Sequence, residues 1–449
     1  MLINFTVENF RSFGAEQTLN LVANKSDKAH PGHSAPIADT DQKVLRTALI
    51  YGANASGKSN LVKAMDFARD MILTGVPPNR KISREQFRFA ENRDQPSGFE
   101  FRFQVENQIF VYGFTVTSEE VLEEWLSATN EKGKEIGVFD RTGKEISFGD
   151  LNKVGESGDF SLDVLKALEQ LGTRQNQLLL NKIVDLDSDR RGELLGKVVW
   201  WFDDCLSIIE PESRFSRLLE RLDEDSDFCD FVSEFLSSVS TGITSLRIDQ
   251  TPIDSDKLPK EMINDLQSED VVSISLSSSM SLSIDPDDST KVIRRNLAST
   301  HSVDGTDYSL PFREESDGTQ QLLHLLPALY YLKNQKRVFV IDEIDRSLHP
   351  LLSHAFLKFF LESCPGSEQQ LIMTTHEAHL LDTDLLRRDE IWFTEKDDSQ
   401  QTHLHSLSDM SVRKDLRLEK GYLQGRFGGI PFIGGMDHLK ELVEHTGGV

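Results

Sequence analysis

The sequence is poor in sulfur, with three cysteines (Cys205, Cys229 and Cys364) in 449 residues. They lie far apart and share no metal-ligand spacing, which argues against a thiolate metal site or a disulfide framework. Reduced thiols of a cytosolic protein are expected. No apolar run approaches the roughly 18 residues that a membrane span requires. The opening Met1-Leu2-Ile3-Asn4-Phe5 lacks a basic segment leading into an apolar signal core, so a cytoplasmic location is expected. Positive charge is also in deficit, with 49 Lys and Arg against 74 Asp and Glu, a net of −25. A surface this acidic disfavours broad contact with a phosphate backbone. Two local basic stretches remain, Arg80, Lys81, Arg84, Arg88 and Arg93, then Arg413, Lys414, Arg417, Lys420 and Arg426. Each reads either as a solvated face or as a local nucleic-acid or partner site. There is no internal repeat and no long heptad array, which argues against a solenoid or an extended coiled coil. A hydrophobic content of 38% with 27% charged residues describes a globular chain long enough for two or three domains.

What is present begins with Gly52-Ala53-Asn54-Ala55-Ser56-Gly57-Lys58-Ser59, which satisfies G-x-x-x-x-G-K-[ST] directly after the apolar run Ala48-Leu49-Ile50-Tyr51. Helical periodicity follows through Leu61, Val62, Met65, Ala68 and Ile72 toward Gly75. Strand, glycine loop and helix make the setting of a phosphate-binding loop. Gly52 and Gly57 let the backbone wrap closely around phosphate oxygens, and the loop positions Asn54 and Ser56 complete the cradle. Lys58 supplies a cation for the β- and γ-phosphates, and the Ser59 hydroxyl is placed for Mg²⁺. The chain is expected to bind ATP with Mg²⁺.

Farther along, Arg337-Val338-Phe339-Val340-Ile341-Asp342-Glu343 is a continuous apolar strand ending in two acids. Such a strand belongs inside a largely parallel sheet with its C-terminal tip at the ligand crevice. Asp342 is then placed to hold Mg²⁺, directly or through water, and Glu343 to orient and deprotonate the attacking water. A third strand, Gln370 to Met373, runs into Thr374-Thr375-His376, and His376 at its tip can sense the γ-phosphate. Ser316 and Gly318, ahead of an apolar helix from Leu322 to Leu332, make a second anion-binding helix start. Two such ends predict a head-to-tail dimer that grips ATP between subunits.

Between 99 and 148 the periodicity becomes two. Phe99, Phe101, Phe103 and Val105 alternate with polar residues, and an antiparallel set of strands is expected. Residues 160–240 read as helical, with Trp200-Trp201-Phe202 as core or interface packing. Ser273 to Ile284 reads as a hairpin or a mobile connector.

This order of elements resembles the ABC-type ATPase heads of the SMC and RecF group: phosphate loop, distant signature, acid-pair strand, then switch histidine. The opening Asn9-Phe10-Arg11-Ser12-Phe13 is similar to the start common in that group. Closer still is the likeness to stand-alone RecF-like ATPases of the RloA type, associated with bacterial abortive-infection and anti-phage systems. It is densest in ESDGTQQLL, VIDEIDRSLHP, TTHEAHLLD, RRDEIWFTEKD and YLQGRFGGIP. The resemblance implies an α/β, P-loop ABC-type head with an antiparallel β subdomain and a mostly helical insertion. The parts expected are an N-terminal lobe at 1–155, the insertion at 156–290 and a C-terminal lobe at 291–449. It implies signature roles for Ser316 and Gly318 toward an opposite subunit, Walker B roles for Asp342 and Glu343, and the switch role for His376. Gln86 is the candidate Q-loop residue, and Arg11 sits near the expected nucleotide edge. Two departures stand out: Asp317 where transporters carry glycine, and His349 six positions after the catalytic acid. The tail acids Asp389, Glu390, Glu395, Asp397 and Asp398 read as a strand edge and turn rather than a nuclease cluster. The expectation is an ATP-hydrolysing switch of an anti-phage system, a homodimer or higher homo-oligomer that controls a separate effector such as a nuclease. A RecF-like DNA-repair or DNA-tethering ATPase is the alternative, and a transporter subunit a third reading.

Overall fold

The computed structural model describes residues 1–89, 95–130, 132–154, 160–211, 218–239, 241–267, 273–277, 279–285, 288, 290–330, 336–346, 348–363, 365–410 and 418–427. Arg93, Leu332, Cys364, Arg413, Lys414 and Arg417 lie outside them. The chain forms two compact units, Met1–Leu206 with Gln370–Val449, and Ser207–Gln369. The helices Ser161–Leu171, Leu179–Val184 and Glu193–Trp200 belong with the first unit, because they lead into an aromatic core there. Trp201 and Phe202 are fully buried, and the Trp201 ring stacks on Phe103 with centroids 4.1 Å apart. Packing thus ties this helical segment to the first unit.

In the first unit a seven-stranded antiparallel sheet carries the period-two phenylalanines. Its order is Glu145–Phe148, Glu135–Thr142, Val121–Thr129, Gln108–Val116, Ser97–Val105, Leu2–Glu8, Gln17–Asn20. Phe99, Phe101 and Phe103 are all buried, so one face of Ser97–Val105 lies in the core, as alternation requires. A second sheet sets the site. Strand Thr47–Gly52 lies between parallel neighbours Gln370–Thr374 and Ile391–Lys396, and Thr402–Ser406 adds an antiparallel edge. All six residues of Thr47–Gly52 are buried, which explains the unbroken apolar run before the glycine loop. Helix Lys58–Leu73 leaves directly from that loop and buries Leu61, Val62, Met65, Ala68 and Ile72.

One buried carboxylate joins strand to helix in this unit. Glu124, fully buried on Val121–Thr129, accepts from the backbone N–H groups of Leu179 (2.6 Å) and Leu180 (2.9 Å). Tyr112 Oη donates to it at 3.0 Å and Arg141 Nη1 lies 3.4 Å away. Burial raises the Glu124 carboxyl above its ordinary range, and the arginine and the two N–H donors oppose that rise.

In the second unit an antiparallel sheet runs in the order Ile243–Asp254, Lys291–Val303, Met280–Ile284, Ile274–Ser277, with Thr306–Pro311 also paired to Lys291–Val303. The Ser273 to Ile284 stretch is a hairpin. Within 156–290 strands enter from Ile243, where Ile and Thr recur among polar residues, with one more helix at Lys260–Leu266. Leu266, Leu282 and Val292 form a small core in this unit. Arg295 contributes a polar cluster, donating to Asp223 and to Ser283, both at 2.6 Å. Strand Val338–Ile341 is buried throughout, and helices Asp317–Tyr330 and Pro350–Ser363 flank it in sequence.

Candidate functional site

The phosphate loop leaves Thr47–Gly52 and turns through two residues of positive φ, Ala55 at 64° and Gly57 at 114°. Gly57 is the residue before helix Lys58–Leu73; no side chain caps that helix and no acid sits in its first turn. Its first N–H groups therefore face the loop, the arrangement that receives an anion. Both fixed glycines are required by their surroundings. A Cβ on Gly57 would fall on the Thr402 side chain, and one on Gly52 would fall on the Ser56 and Thr394 hydroxyls, well inside van der Waals contact. Lys58, only 4% exposed, folds back over the loop. Its Nζ donates to Gly52 O (2.7 Å) and Ala53 O (3.1 Å). Asn54 is exposed at the tip, Ser56 is buried and Ser59 is half-buried in the first helical turn.

His376 joins this group. Strand Gln370–Thr374 ends beside the loop strand, with Thr375 N–H donating to Ile50 O at 3.1 Å, and His376 Nδ1 lies 3.5 Å from Lys58 Nζ. Seven of the sequence-predicted residues (Gly52, Asn54, Ser56, Gly57, Lys58, Ser59 and His376) thus occupy the first unit, with the lysine and the histidine touching.

Three hydroxyl residues behind the loop, Thr394 within RRDEIWFTEKD, Thr402 and Ser12, had no site role assigned from the sequence. Thr394, on Ile391–Lys396, meets Ser56 Oγ at 2.6 Å. Thr402 Oγ1 lies 2.8 Å from Ser56 O and 2.7 Å from Ser12 Oγ. Asn60 Nδ2 donates to Ser12 Oγ at 2.7 Å. Chain pairing alone brings them there, so no local spacing reveals them; Ser12 was visible only as part of the Asn9–Phe13 opening. In that turn Arg11 pairs with Glu85, next to Gln86, and its side chain lies over the Phe10 ring.

The other four expected residues belong to the second unit. Asp342, 2% exposed, follows strand Val338–Ile341, and its N–H donates to Ile209 O at 2.9 Å. Glu343 comes next with φ +52°, a left-handed conformation uncommon for a non-glycine residue and frequent where a side chain is aimed for function. Ser316 precedes helix Asp317–Tyr330 and accepts from Thr319 N–H at 3.2 Å, capping it. Gly318 lies in the first turn. Glu315, just before, bonds His301 Nε2 at 2.7 Å.

The tail acids hold structure. Asp389 accepts from Arg387 Nε (2.9 Å) and Nη2 (2.7 Å), and the fully buried Glu390 meets His33 Nδ1 at 3.1 Å. Burial pushes the Glu390 carboxyl well above its ordinary range. Asp397 pairs with His403 at 2.8 Å.

The donors at the loop fit a nucleoside triphosphate: a glycine-walled cradle, an uncapped helix start, a lysine and a hydroxyl for the metal. Among the described residues no group of three or more His, Cys, Asp or Glu is placed to hold a metal, and none has a helix long and apolar enough to cross a membrane.

Comparison with known proteins gives one matching family. A family model described as "AAA domain, putative AbiEii toxin, Type IV TA system" matches residues 48–382, from the loop strand to just past His376. No curated protein matches the sequence. Among solved structures the chain is similar to an SMC head bound to the C-terminal winged-helix domain of ScpA, at 13% identity and a TM-score of 0.42, covering 92% of this chain and 98% of that one. It is similar to the SMC head domain from Thermotoga maritima, at 12% identity and TM-score 0.36, covering 92% and 99%. It is also similar to an SMC head with an extended coiled coil bound to the C-terminal domain of ScpA derived from Pyrococcus furiosus, at 13% and 0.35, covering 95% and 98%.

Proposed function

We propose a function from one premise: the chain belongs to that AAA-domain family and is an ATPase of its type. In this reading it is a molecular switch of an abortive-infection or anti-phage system. It hydrolyses ATP to ADP and phosphate, dimerises around the nucleotide, and controls a separate effector protein. The defence setting takes its support from the family description and from the sequence resemblance to RloA-type ATPases.

The loop amides from Gly52 to Ser59 hold the β- and γ-phosphates. Lys58 turns from the Gly52 and Ala53 carbonyls to the γ-phosphate, a stronger, charge-assisted acceptor. Mg²⁺, when bound, would supply charge neutralisation for the transferred phosphoryl group. Ser59 and Asp342 are assigned to hold it. Glu343 accepts a proton from the attacking water, whose oxygen bonds to the γ-phosphorus as the bond to the β–γ bridging oxygen breaks. His376, in contact with Lys58, answers to the presence of the γ-phosphate. Ser316 and Gly318 offer a second anion-binding helix start to the nucleotide of another copy.

The single observation that carries the nucleotide assignment is the Lys58–His376 pairing over a loop whose glycines cannot be replaced without steric collision. Calorimetric titration with ATP and Mg²⁺ tests it. Lys58→Ala should weaken binding roughly 10- to 100-fold, the loss expected for a charged hydrogen-bond donor. An unchanged affinity would overturn the assignment.

A further inference from the structure

The polar contacts behind the phosphate loop form one connected cluster. The Thr402 hydroxyl donates to the Ser56 carbonyl across 2.8 Å. The same hydroxyl donates toward Ser12 Oγ at 2.7 Å, so its one proton is shared between the two acceptors. Ser12 Oγ in turn accepts from Asn60 Nδ2 at 2.7 Å. The relay joins Asn60, Ser12, Thr402 and Ser56, from the first turn of helix Lys58–Leu73 to the loop carbonyl that precedes Gly57. Thr402 N–H adds a bond to Ser12 O at 2.8 Å, fixing the two hydroxyl residues to each other. Thr402 is 1% and Ser12 6% exposed, so water does not compete for these groups, and bonds in such a chain strengthen one another.

From this geometry we infer that Thr402 and Ser12 are positioning residues for the nucleotide. They touch no phosphate themselves. They hold the Ser56 carbonyl outward so that the peptide on its far side presents the Gly57 N–H to the β-phosphate. The proposal rests on the phosphate loop binding ATP, and it adds the statement that the hairpin Ile391–Ser406 and the Asn9–Phe13 turn set the loop's affinity. The second hydroxyl of that hairpin, Thr394, holds Ser56 from its side chain, so the loop residue is gripped at both its carbonyl and its Oγ. Gly57 is obligatory for the same reason, since Thr402 occupies the space a Cβ would need.

Thr402→Val keeps the shape and removes the hydroxyl; Thr402→Ser keeps the hydroxyl. Equilibrium titrations with ATP and with ADP should show roughly 10-fold weaker binding of both in Thr402→Val, the size expected when buried partners lose their bonds. Thr402→Ser should bind within a few-fold of the wild type. In the nucleotide-free protein, amide exchange over residues 52–60 should be faster in Thr402→Val than in Thr402→Ser. Ser12→Ala breaks the relay from the other side, should match Thr402→Val, and carries the test if that variant does not fold. The double substitution should cost little more than either alone. Wild-type affinity in Thr402→Val or Ser12→Ala, at a temperature well below melting, overturns the inference. So does an equal loss in Thr402→Ser, because the hydroxyl is then not the active group. Lys58→Ala separates the two levels: if it leaves ATP affinity intact, the nucleotide assignment fails, and if it abolishes binding while Thr402→Val binds normally, only the relay is wrong.

Discussion

At the scale of the residue, Glu343 carries the hydrolysis assignment. It follows a buried aspartate and sits at φ +52°, a backbone conformation uncommon for a non-glycine residue. Glu343→Gln preserves that shape and removes the base. Phosphate release should fall by roughly 10²- to 10⁴-fold, while ATP affinity measured by calorimetry stays within a few-fold of the wild type. A parallel drop in affinity would make Glu343 a binding group instead. The residues of the loop were legible in the sequence because their pattern encodes a backbone shape: glycine where φ is positive, lysine and serine where the helix starts. Thr394 and Thr402 were not legible. They reach Ser56 from 338 and 346 residues away along the chain, and a lone threonine in a strand looks the same whether or not a loop lies behind it.

At the scale of the element, the helix Leu179–Val184 begins at Leu178, which offers no side-chain cap. Its N–H groups are satisfied from another strand, by Glu124. Truncating that carboxylate leaves the buried Arg141 and two N–H donors short of a partner. Glu124→Ala should lose about 3 kcal/mol, as removal of one member of a buried ion pair does, read as a lower midpoint in chemical denaturation. The sign with pH also follows. A carboxyl raised above its ordinary value takes up a proton more readily in the folded state. Glu124 therefore favours folding most below the ordinary carboxyl range and loses that contribution as pH rises toward its raised value. Glu390, fully buried as well and raised by that burial, acts in the same direction. Period-two phenylalanines announced the strands they belong to. The cap on Leu179–Val184 was unreadable, because its donor and acceptor lie more than 50 positions apart.

At the scale of the whole molecule, the proposal of an ATP-bridged dimer turns on Ser316. Its place at the start of helix Asp317–Tyr330 leaves it exposed, and arginine there would obstruct any phosphate approaching the helix end. In a Glu343→Gln background, where ATP persists, light scattering should report an ATP-dependent dimer. Adding Ser316→Arg should return it to the monomer mass without changing ATP affinity per chain. The same mass in both would leave a self-contained site. Periodicity announced the strands between 99 and 148 and the helices before 240, but neither the second unit's strands Ile243–Asp254 and Lys291–Val303 nor the boundary between the units. That boundary was fixed by Trp201 and Phe202 entering the core beside Phe101 and Phe103, and composition does not say which core an aromatic run will fill.

The first unit is assembled from two separated stretches of chain, and this gives the protein a timetable. Thr47, in the phosphate-loop strand, bonds to Leu371, 324 residues later, and both parallel neighbours of that strand come from beyond Gln369. A ribosome adding about 5–20 residues per second needs roughly 15–65 seconds to supply them. Throughout that interval the nascent glycine loop has neither flanking strand nor the Thr402 contact that shapes it. Nucleotide competence therefore arrives late in translation, and a chain cut short before Gln370 carries the full loop sequence without the means to hold a phosphate.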